Sequence, residues 1–429
     1  MPKQPLNHDV AEATRAQTRG DSNGNSNDND TAAGEIFRTD YRPLRYMVHK
    51  VHLNFILKPG KTTVITDLFI GINPNFALQR KQQHHHQQQQ QQAVDTAMTP
   101  DAAISKDADN EDTLVLDGQE TDVALWSIAL VDNDDGGGEQ ELKRDLDYTL
   151  VPGKLILKQP VLSDVGVVVP SGADTAVTKR LRTVVTIVPE SNTLLEGLFI
   201  TNSIYCTQCE ADGFRRITYF PDRPDNLALF ERVRIETCAQ DYPVLLSNGA
   251  IIESGIIPDE SNSKNDGSVN ANGNNDDDND DDDYASGTNR HYAIWTDVFP
   301  KPSYLFALVA GNLDYIEDSF VTTPSQRHVR LRIYARTPYI DKLQYAMMCL
   351  KKAMAWDERT FGLECDSDLY QIVAVDDFNA GAMENKGLNI FNAANILADE
   401  KTATDEDFAR VERIVRGLRF HLVGGGTIF

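Results

Sequence analysis

Cysteine is scarce in this sequence, and long apolar runs are absent from it. The chain of 429 residues has five cysteines. A disulfide scaffold needs more cysteines and usually an even number of them. They are Cys206, Cys209, Cys238, Cys349 and Cys365. From Met1 to about Asp30 the sequence is polar and lacks the apolar stretch of a secretory signal. No later window approaches the roughly 20 apolar residues of a membrane span. These absences favour a reduced, cytoplasmic protein with no membrane partner.

Basic residues are also in short supply. The 65 acidic residues outnumber the 41 basic ones, which gives a formal net charge of −24. Part of the excess is one aspartate run among asparagine, glycine and serine, a composition typical of a solvated, disordered insertion. The run comprises Asp276, Asp277, Asp278, Asp280, Asp281, Asp282 and Asp283. Because such a chain would repel phosphate groups, no nucleic-acid partner is expected.

The region between residues 36 and 315 has the patterning of a β-sandwich domain. Apolar residues alternate with more polar neighbours from Val51 to Leu57, as in a half-buried strand. Pro152 and Gly153 predict the turn of a hairpin over residues 148–157. Further strands are predicted where Val, Ile, Leu and Thr are enriched, at residues 63–71, 122–131 and 182–188. A disordered tail over residues 1–35 precedes this domain.

Low-complexity insertions interrupt the β-region, near residues 81–110, 132–141, 162–179 and 257–288. Surface turns tolerate such insertions because the entropic cost of closing a loop grows slowly with its length. The first insertion holds His84, His85 and His86 within a glutamine run. A weak metal site and low-complexity disorder are the two interpretations of this triplet, and its composition favours disorder. The third insertion is rich in small residues and leaves room for a strand.

From about residue 316 the pattern changes to helices alternating with strands. Apolar residues at steps of three and four predict a helix over residues 340–361, which ends at Gly362. A strand over residues 369–376 follows. The alternation indicates an α/β or α+β domain, which we expect to span residues 316–429.

A second helix is predicted over residues 404–416. Thr404 and Asp407 have the spacing of a capping box, with aspartate in place of glutamate. Phe408 and Val411 begin its apolar face. The domain to which this helix belongs is expected to be incomplete in this chain.

The segment from Val375 to Phe391 carries the most chemical information. It has the pattern of a strand, a turn that contains Gly381, and a second extended stretch. Because Gly381 has no side chain, a ligand backbone can approach closely, and Glu384 adds a carboxylate beside that edge. An edge strand with a nearby carboxylate can pair with a peptide and hold its amino terminus. The alternative is a plain hairpin with a surface glutamate.

The run Gly381-Ala382-Met383-Glu384-Asn385 resembles the exopeptidase signature of the aminopeptidase N family of zinc metallopeptidases (gluzincins). The flanking segments match as well, and so do stretches that resemble the family's N-terminal domain: residues 205–215, 245–249, 299–302 and 304–311. The likeness is greatest to the bacterial-type alanyl aminopeptidase branch and covers the N-terminal portion only. It implies a saddle-like β-sandwich domain followed by the start of a thermolysin-like peptidase domain.

The resemblance also implies which residues would bind substrate. In the family, the residues that match Gln208 and Glu210 contact the first residue of the substrate, the glutamate through the free amine. Together with Glu384 they would form an anionic clamp that favours a charged amine and rejects blocked peptides. The remaining candidate substrate-binding residues are Ala380, Gly381, Ala382, Met383 and Asn385. Ala380 stands where the bacterial-type branch often has methionine, so the first side-chain pocket should be more open.

Cys206 and Cys209 form a C-x-x-C, which by itself permits a zinc or redox site. No second pair lies at the spacing of a zinc ribbon, since Cys238 is single and distant. In an extended strand Gln208 and Glu210 project from one face and Cys209 from the other. The amine clamp is therefore the preferred interpretation of this segment.

The zinc chemistry of the family needs His-Glu-x-x-His on a helix, where the histidines bind the metal and the glutamate is the general base. No such motif occurs in this sequence. Residues 411–415 resemble the turn before it, but Gly417 and Leu418 stand where the first histidine and the glutamate belong. Phe420 and His421 fall in register with the motif's end, but a single histidine cannot hold catalytic zinc. Zinc is thus the cofactor of the family, but no catalytic or metal-binding residue is expected in this chain.

These observations predict a member of a zinc aminopeptidase family, which would release N-terminal amino acids from peptides, in a truncated and inactive form. Two alternatives remain. One is a non-catalytic module that binds peptides with a free N-terminus. The other is a partly folded truncation product, in which the helix over residues 340–361 leaves its apolar face exposed.

Overall fold

A computed structural model describes the fold of this chain. It covers residues 41–79, 113–132, 138–168, 178–258 and 289–425, with side chains placed up to residue 417. The predicted tail over residues 1–35 lies outside the described residues, as does most of each predicted insertion, including His84, His85 and His86. The side chains of Leu418 and His421 also lie outside them.

The described residues are mostly strands. Up to residue 256 they are β1 (Tyr46–Ile56), β2 (Thr62–Ile72), β3 (Leu114–Asp117), β4 (Ala124–Val131), β5 (Glu139–Glu141), β6 (Tyr148–Val151), β7 (Lys154–Leu157), β8 (Lys179–Ile187), β9 (Gly197–Thr201), β10 (Ile204–Gln208), β11 (Leu229–Cys238), β12 (Val244–Ser247) and β13 (Ala250–Ile256). Beyond it are β14 (Arg290–Thr296), β15 (Leu308–Gly311), β16 (Asp314–Val321), β17 (His328–Ala335), β18 (Leu369–Val375), β19 (Ala382–Met383) and β20 (Leu388–Asn392). The helices are α1 (residues 74–79), α2 (Gln344–Phe361), α3 (Ala393–Ile396) and α4 (Asp405–Gly425). No helix among the described residues is both long and apolar enough to cross a membrane.

Four sheets organise these strands. Their strand orders are β13-β14-β11-β1-β2-β8-β4-β5, β12-β15-β10-β9, β3-β7-β6 and β16-β17-β18-β20-β19. The first sheet has one apolar face, because Val51, Leu53 and Phe55 of β1 are buried while the residues between them are partly exposed. Such alternation is typical of a sheet with one solvated face, here a mixed sheet in which β1 pairs in parallel with β11 and antiparallel with β2. The predicted strands at residues 63–71, 122–131 and 182–188 are confirmed as β2, β4 and β8, and the hairpin as β6 and β7.

Two predicted insertions are partly structured. Residues 139–141, assigned to an acidic insertion, form β5 instead and pair with β4 at the edge of the first sheet. In the third insertion, Val167 bridges Ile72 and its neighbour Val168 donates a backbone hydrogen bond to the Ile72 carbonyl (3.0 Å). Backbone pairing with a neighbouring strand orders both stretches, although their side chains have no β-pattern.

Helix α2 begins at Gln344, later than the predicted residue 340. Thr337–Lys342 form a 3-10 helix with a proline in its first turn, and the α-helix starts only after it. Gly362 ends α2 in the left-handed conformation (φ 66°), as predicted. The expectation that α2 exposes its apolar face is wrong. Residues such as Met347 and Leu350 are buried beneath α4 and the five-stranded sheet.

The five-stranded sheet is apolar on both faces. Val373 and Ile390 join the core that fills the N-terminal sheets. Ile372 and Phe391, their neighbours in sequence, point to the other side and pack in a second core with α2 and α4. A single sheet therefore joins the N-terminal β-region to the helices, and the described residues from Pro43 onward form one compact unit.

Candidate substrate-binding site

The first half of the candidate site lies at the end of β10. All residues of this strand are buried between β9 and β15, and the strand ends at Gln208. There it folds back sharply, and the backbone N–H of Gly213 donates to the Cys209 carbonyl (2.8 Å). A Cβ at Gly213 would lie 2.3 Å from the carbonyl oxygen of Gln208, so only glycine fits this reversal. Glu210 is exposed at the turn, and the peptide bond that follows it is cis.

The second half of the site is the short strand β19 and the residues around it. β19 pairs with β20, and the backbone N–H of Asn392 donates to the Gly381 carbonyl (3.1 Å). A Cβ at Gly381 would lie 3.1 Å from Cδ1 of Ile414 in α4. The missing side chain thus lets helix α4 approach this segment. The sequence by itself predicts only that a ligand backbone approaches there.

The candidate residues differ in exposure. Ala380 is exposed, whereas Gly381, Ala382 and Glu384 are half-buried. The side chains of Met383 and Asn385 are each only 1 % exposed and lie inside the fold. Neither polar atom of the Asn385 side chain has a hydrogen-bond partner among the described residues, and we have no physical account of that.

The two halves of the site meet at Gln208. Its side-chain Nε2 lies 3.6 Å from Sδ of Met383 and 3.2 Å from the carbonyl oxygen of Glu210. Gln208 is 5 % exposed, and its Oε1 has no hydrogen-bond partner within the described structure. A buried acceptor without a partner costs folding free energy. A donor that reached this oxygen would therefore be bound favourably.

Tyr304 lies within electrostatic range of both carboxylates of the predicted clamp. Burial raises the pKa of its phenol, and the negative charges of Glu210 and Glu384 raise it further. Two glutamates that are far apart in sequence thus act on one half-buried tyrosine. Reasoning from the sequence missed Tyr304 as a site residue, because nothing local places it beside these carboxylates.

Buried polar contacts fix the loop that carries Tyr304. Nζ of Lys301 donates to Oδ2 of Asp297 at 2.9 Å, and both side chains are almost fully buried. Burial lowers the pKa of Lys301, against the opposing effect of Asp297. The next residue but one, Ser303, donates its hydroxyl to Asp222. These contacts hold Tyr304 against the N-terminal core rather than on a loose loop.

The C-x-x-C of the same segment has no exposed thiol. Cys206 and Cys209 are free and fully buried, and burial raises the pKa of both thiols. A buried, neutral thiol is a poor nucleophile and a poor metal ligand. In the part of the chain that the structure describes, no group of three His, Cys, Asp and Glu side chains could hold a metal ion. The two cysteines serve as core residues.

Helix α4 passes beside Gly381, which allows a test of the zinc expectation. Cδ1 of Ile414 lies beside Gly381, and Gly417 follows Ile414 by three positions on the same helical face. Gly417 has no side chain, and a Cβ there would meet nothing within 4 Å. Catalytic zinc needs three protein ligands in most sites. The residues that the structure describes at this face do not fit a zinc ion.

Comparison with known proteins agrees with this arrangement. The family described as "Peptidase family M1 domain" matches residues 345–422. Aminopeptidase N of Caulobacter vibrioides is 48% identical over 248 residues, which are 58% of this chain and 25% of that protein. Aminopeptidase N of Escherichia coli is 45% identical over 240 residues, 56% of this chain and 24% of that protein.

A solved structure is similar over more of the chain. Legionella pneumophila aminopeptidase A, crystallised in complex with aspartic acid, superposes with a TM-score of 0.65 at 30% sequence identity. The superposition covers 89% of this chain and 35% of that one. For the two aminopeptidases N named above, the chain spans about a quarter of their length.

The fold is similar to that of an aminopeptidase, with a mostly β-stranded region followed by α/β elements, as the sequence predicts. Within that class, the chain is similar to proteins named aminopeptidase N over more than half of its length.

Proposed function

We propose that this chain binds the free N-terminus of peptides through Gln208, Glu210 and Glu384. The observation that carries the proposal is the meeting of the two halves of the site. Nε2 of Gln208 lies 3.6 Å from Sδ of Met383, and the negative charges of both glutamates act on Tyr304. An α-ammonium group at this point would be held by two carboxylates and would donate to the unpartnered Oε1 of Gln208.

The same geometry supports discrimination against blocked peptides. Acetylation removes both the positive charge and the extra hydrogens of the amine. An acetylated terminus would lose its charge attraction to the two carboxylates, and its one remaining N–H could not serve both of them and Oε1 of Gln208. Of the other candidate residues, Ala380 is exposed and Gly381 and Ala382 are half-buried, so these three would line the open side of the site. There they would accept the first side chain of the peptide.

Calorimetric titration with trialanine and with N-acetyl-trialanine tests this proposal. We expect the free peptide to bind at least tenfold more tightly, which corresponds to about 1.4 kcal/mol. Equal affinity for the two peptides, or no binding of either, would contradict the proposal.

We further propose that binding on these residues is not coupled to hydrolysis. The relatives are aminopeptidases, and their family uses zinc. Here Gly417 and Leu418 stand where the first zinc-binding histidine and the general base would be needed. We expect no release of arylamine from an alanyl-arylamide in the presence of zinc. Turnover that a chelator abolishes would overturn this part of the proposal.

The proposal includes a cytoplasmic location. It is supported by the sparse, free and buried cysteines, since thiols stay reduced in that compartment. Fractionation of cells that express the tagged chain tests it, and recovery in a secreted fraction would contradict it.

A further inference from the structure

We infer that Asn248 is a positioning residue for the amine clamp, an inference that rests on the proposed function. Asn248 lies between β12 and β13 and is 2 % exposed. Among the described residues, its side chain forms no hydrogen bond with a candidate substrate-binding residue. Its side chain instead joins the segment that follows Glu384 to the segment that carries Tyr304.

One side of this connection reaches the segment of Glu384. Nδ2 of Asn248 donates to the Lys386 carbonyl at 2.8 Å. Lys386 follows Glu384 by two residues, and its own Nζ forms an ion pair with Asp366. The next residue, Gly387, accepts a backbone hydrogen bond from Gln371 at 3.1 Å. The turn after Glu384 is thus held by β18 on one side and by Asn248 on the other.

The other side of the connection reaches the segment of Tyr304. The same Nδ2 donates to the Leu305 carbonyl at 3.0 Å, and Oδ1 accepts from the Ala307 backbone N–H at 2.8 Å. The backbone N–H of Leu308 then donates to Oγ1 of Thr207 at 2.9 Å, beside Gln208. Asn248 is therefore connected to both halves of the site.

Loss of this side chain should loosen the clamp without removing any group that binds the ligand. An amide supplies two N–H donors and an acceptor in a fixed plane, and Asn248 uses both donors and the acceptor. In Asn248→Asp the acceptor remains, but the second oxygen faces the carbonyls of Leu305 and Lys386. Repulsion there would release the turn after Glu384, and the carboxylate would sample more positions.

Asn226 offers a matched control. It is also 2 % exposed, and its amide accepts from the Val48 N–H at 3.0 Å and donates to the Val48 carbonyl at 3.1 Å. These contacts lie in the N-terminal β-region. Asn226→Asp therefore disturbs a buried asparagine of similar chemistry without touching the segments of the clamp.

The test combines hydrogen exchange with peptide binding on the full chain. We expect Asn248→Asp to speed amide exchange in residues 383–388 and to raise the Kd for trialanine about tenfold, the effect of about 1.4 kcal/mol. Asn226→Asp should speed exchange around residues 46–50 and leave the Kd unchanged. Asn248→Ala removes the three hydrogen bonds without introducing repulsion. It should also speed exchange in residues 383–388 and raise the Kd for trialanine.

The outcomes separate the inference from the function on which it rests. If wild type does not distinguish trialanine from N-acetyl-trialanine, the proposed function fails and the inference fails with it. If wild type does distinguish them, but Asn248→Asp behaves like Asn226→Asp in either exchange or binding, only the inference is overturned.

Discussion

The two glutamates of the candidate site follow different strands and have different surroundings. Glu210 lies exposed in the turn after β10, whereas Glu384 is half-buried directly after β19. Tyr304 feels the charge of both. A phenol whose pKa is raised stays protonated at neutral pH, so it adds no third negative charge beside the carboxylates.

Glu384→Gln should weaken binding of a free peptide N-terminus. A hydrogen bond between charged groups contributes about 1.5–3 kcal/mol, so we expect the Kd for trialanine to rise by at least tenfold. Calorimetry with the purified variant measures this change.

Glu317→Gln is a suitable control, because Glu317 is a partly exposed glutamate of the same sheet that pairs with Arg332. It should leave the Kd unchanged. Equal effects of the two substitutions would mean that the loss of negative charge, and not the clamp, sets the affinity.

At the scale of elements, two close approaches shape the site. The reversal after β10 needs glycine at residue 213, and the contact between α4 and β19 needs a small residue at position 381. Each glycine loses more backbone entropy on folding than another residue would, but it allows neighbouring segments to pack closely. Gly417, in contrast, has open space around it inside a helix, where glycine is unfavourable.

Gly213→Ala and Gly417→Ala should therefore have opposite effects on stability. The first places a Cβ against the Gln208 backbone and should cost about 1–3 kcal/mol, with loss of trialanine binding. The second should add about 1 kcal/mol, because alanine is the better helix former. Urea unfolding measures both changes, and a loss of stability in Gly417→Ala would show that α4 is packed differently.

The start of α4 provides a test that depends on pH. Hydrogen bonds from the backbone and hydroxyl of Thr404, followed by Arg410, lower the pKa of Asp407 from 3.8 to about 2. A carboxyl group with a depressed pKa stabilises the fold above its unfolded pKa, and this contribution is lost as pH falls through the folded value. Asp407→Asn should lower the Tm at pH 7.

The difference in Tm between wild type and Asp407→Asn should shrink as the pH falls from 3.8 towards about 2. Asp405→Asn, in the same helical turn, removes a charge without removing the cap. It should lower the Tm less at pH 7. A pH-independent difference for Asp407→Asn would contradict a role for the ionised cap.

At the scale of the whole molecule, the five-stranded sheet joins two cores. Because its faces pack against the N-terminal sheets and against α2 and α4, neither core is complete without it. We expect one cooperative thermal transition, with the same Tm by circular dichroism and by tryptophan fluorescence, and no binding of a hydrophobic dye beforehand. Two separate transitions would instead support the hypothesis that the chain is a partly folded truncation product.

Much of this architecture is predictable from the sequence, because alternating burial and helical periodicity are local. The strands, the Gly362 stop and the Thr404 cap follow from such patterns. The late start of α2 does not, since residues 337–342 form a competing 3-10 helix. The site is less predictable still. Gln208 and Met383 are 175 residues apart, so only the resemblance to a family links them. Neither local sequence patterns nor that resemblance identifies Asn248 as a positioning residue.

The most direct test of the amine clamp is a crystal structure of this chain grown with trialanine. We predict that the peptide nitrogen lies about 2.7–3.2 Å from oxygens of both Glu210 and Glu384 and from Oε1 of Gln208. Density for the peptide elsewhere, or with its amine pointing away from both carboxylates, would contradict the central claim.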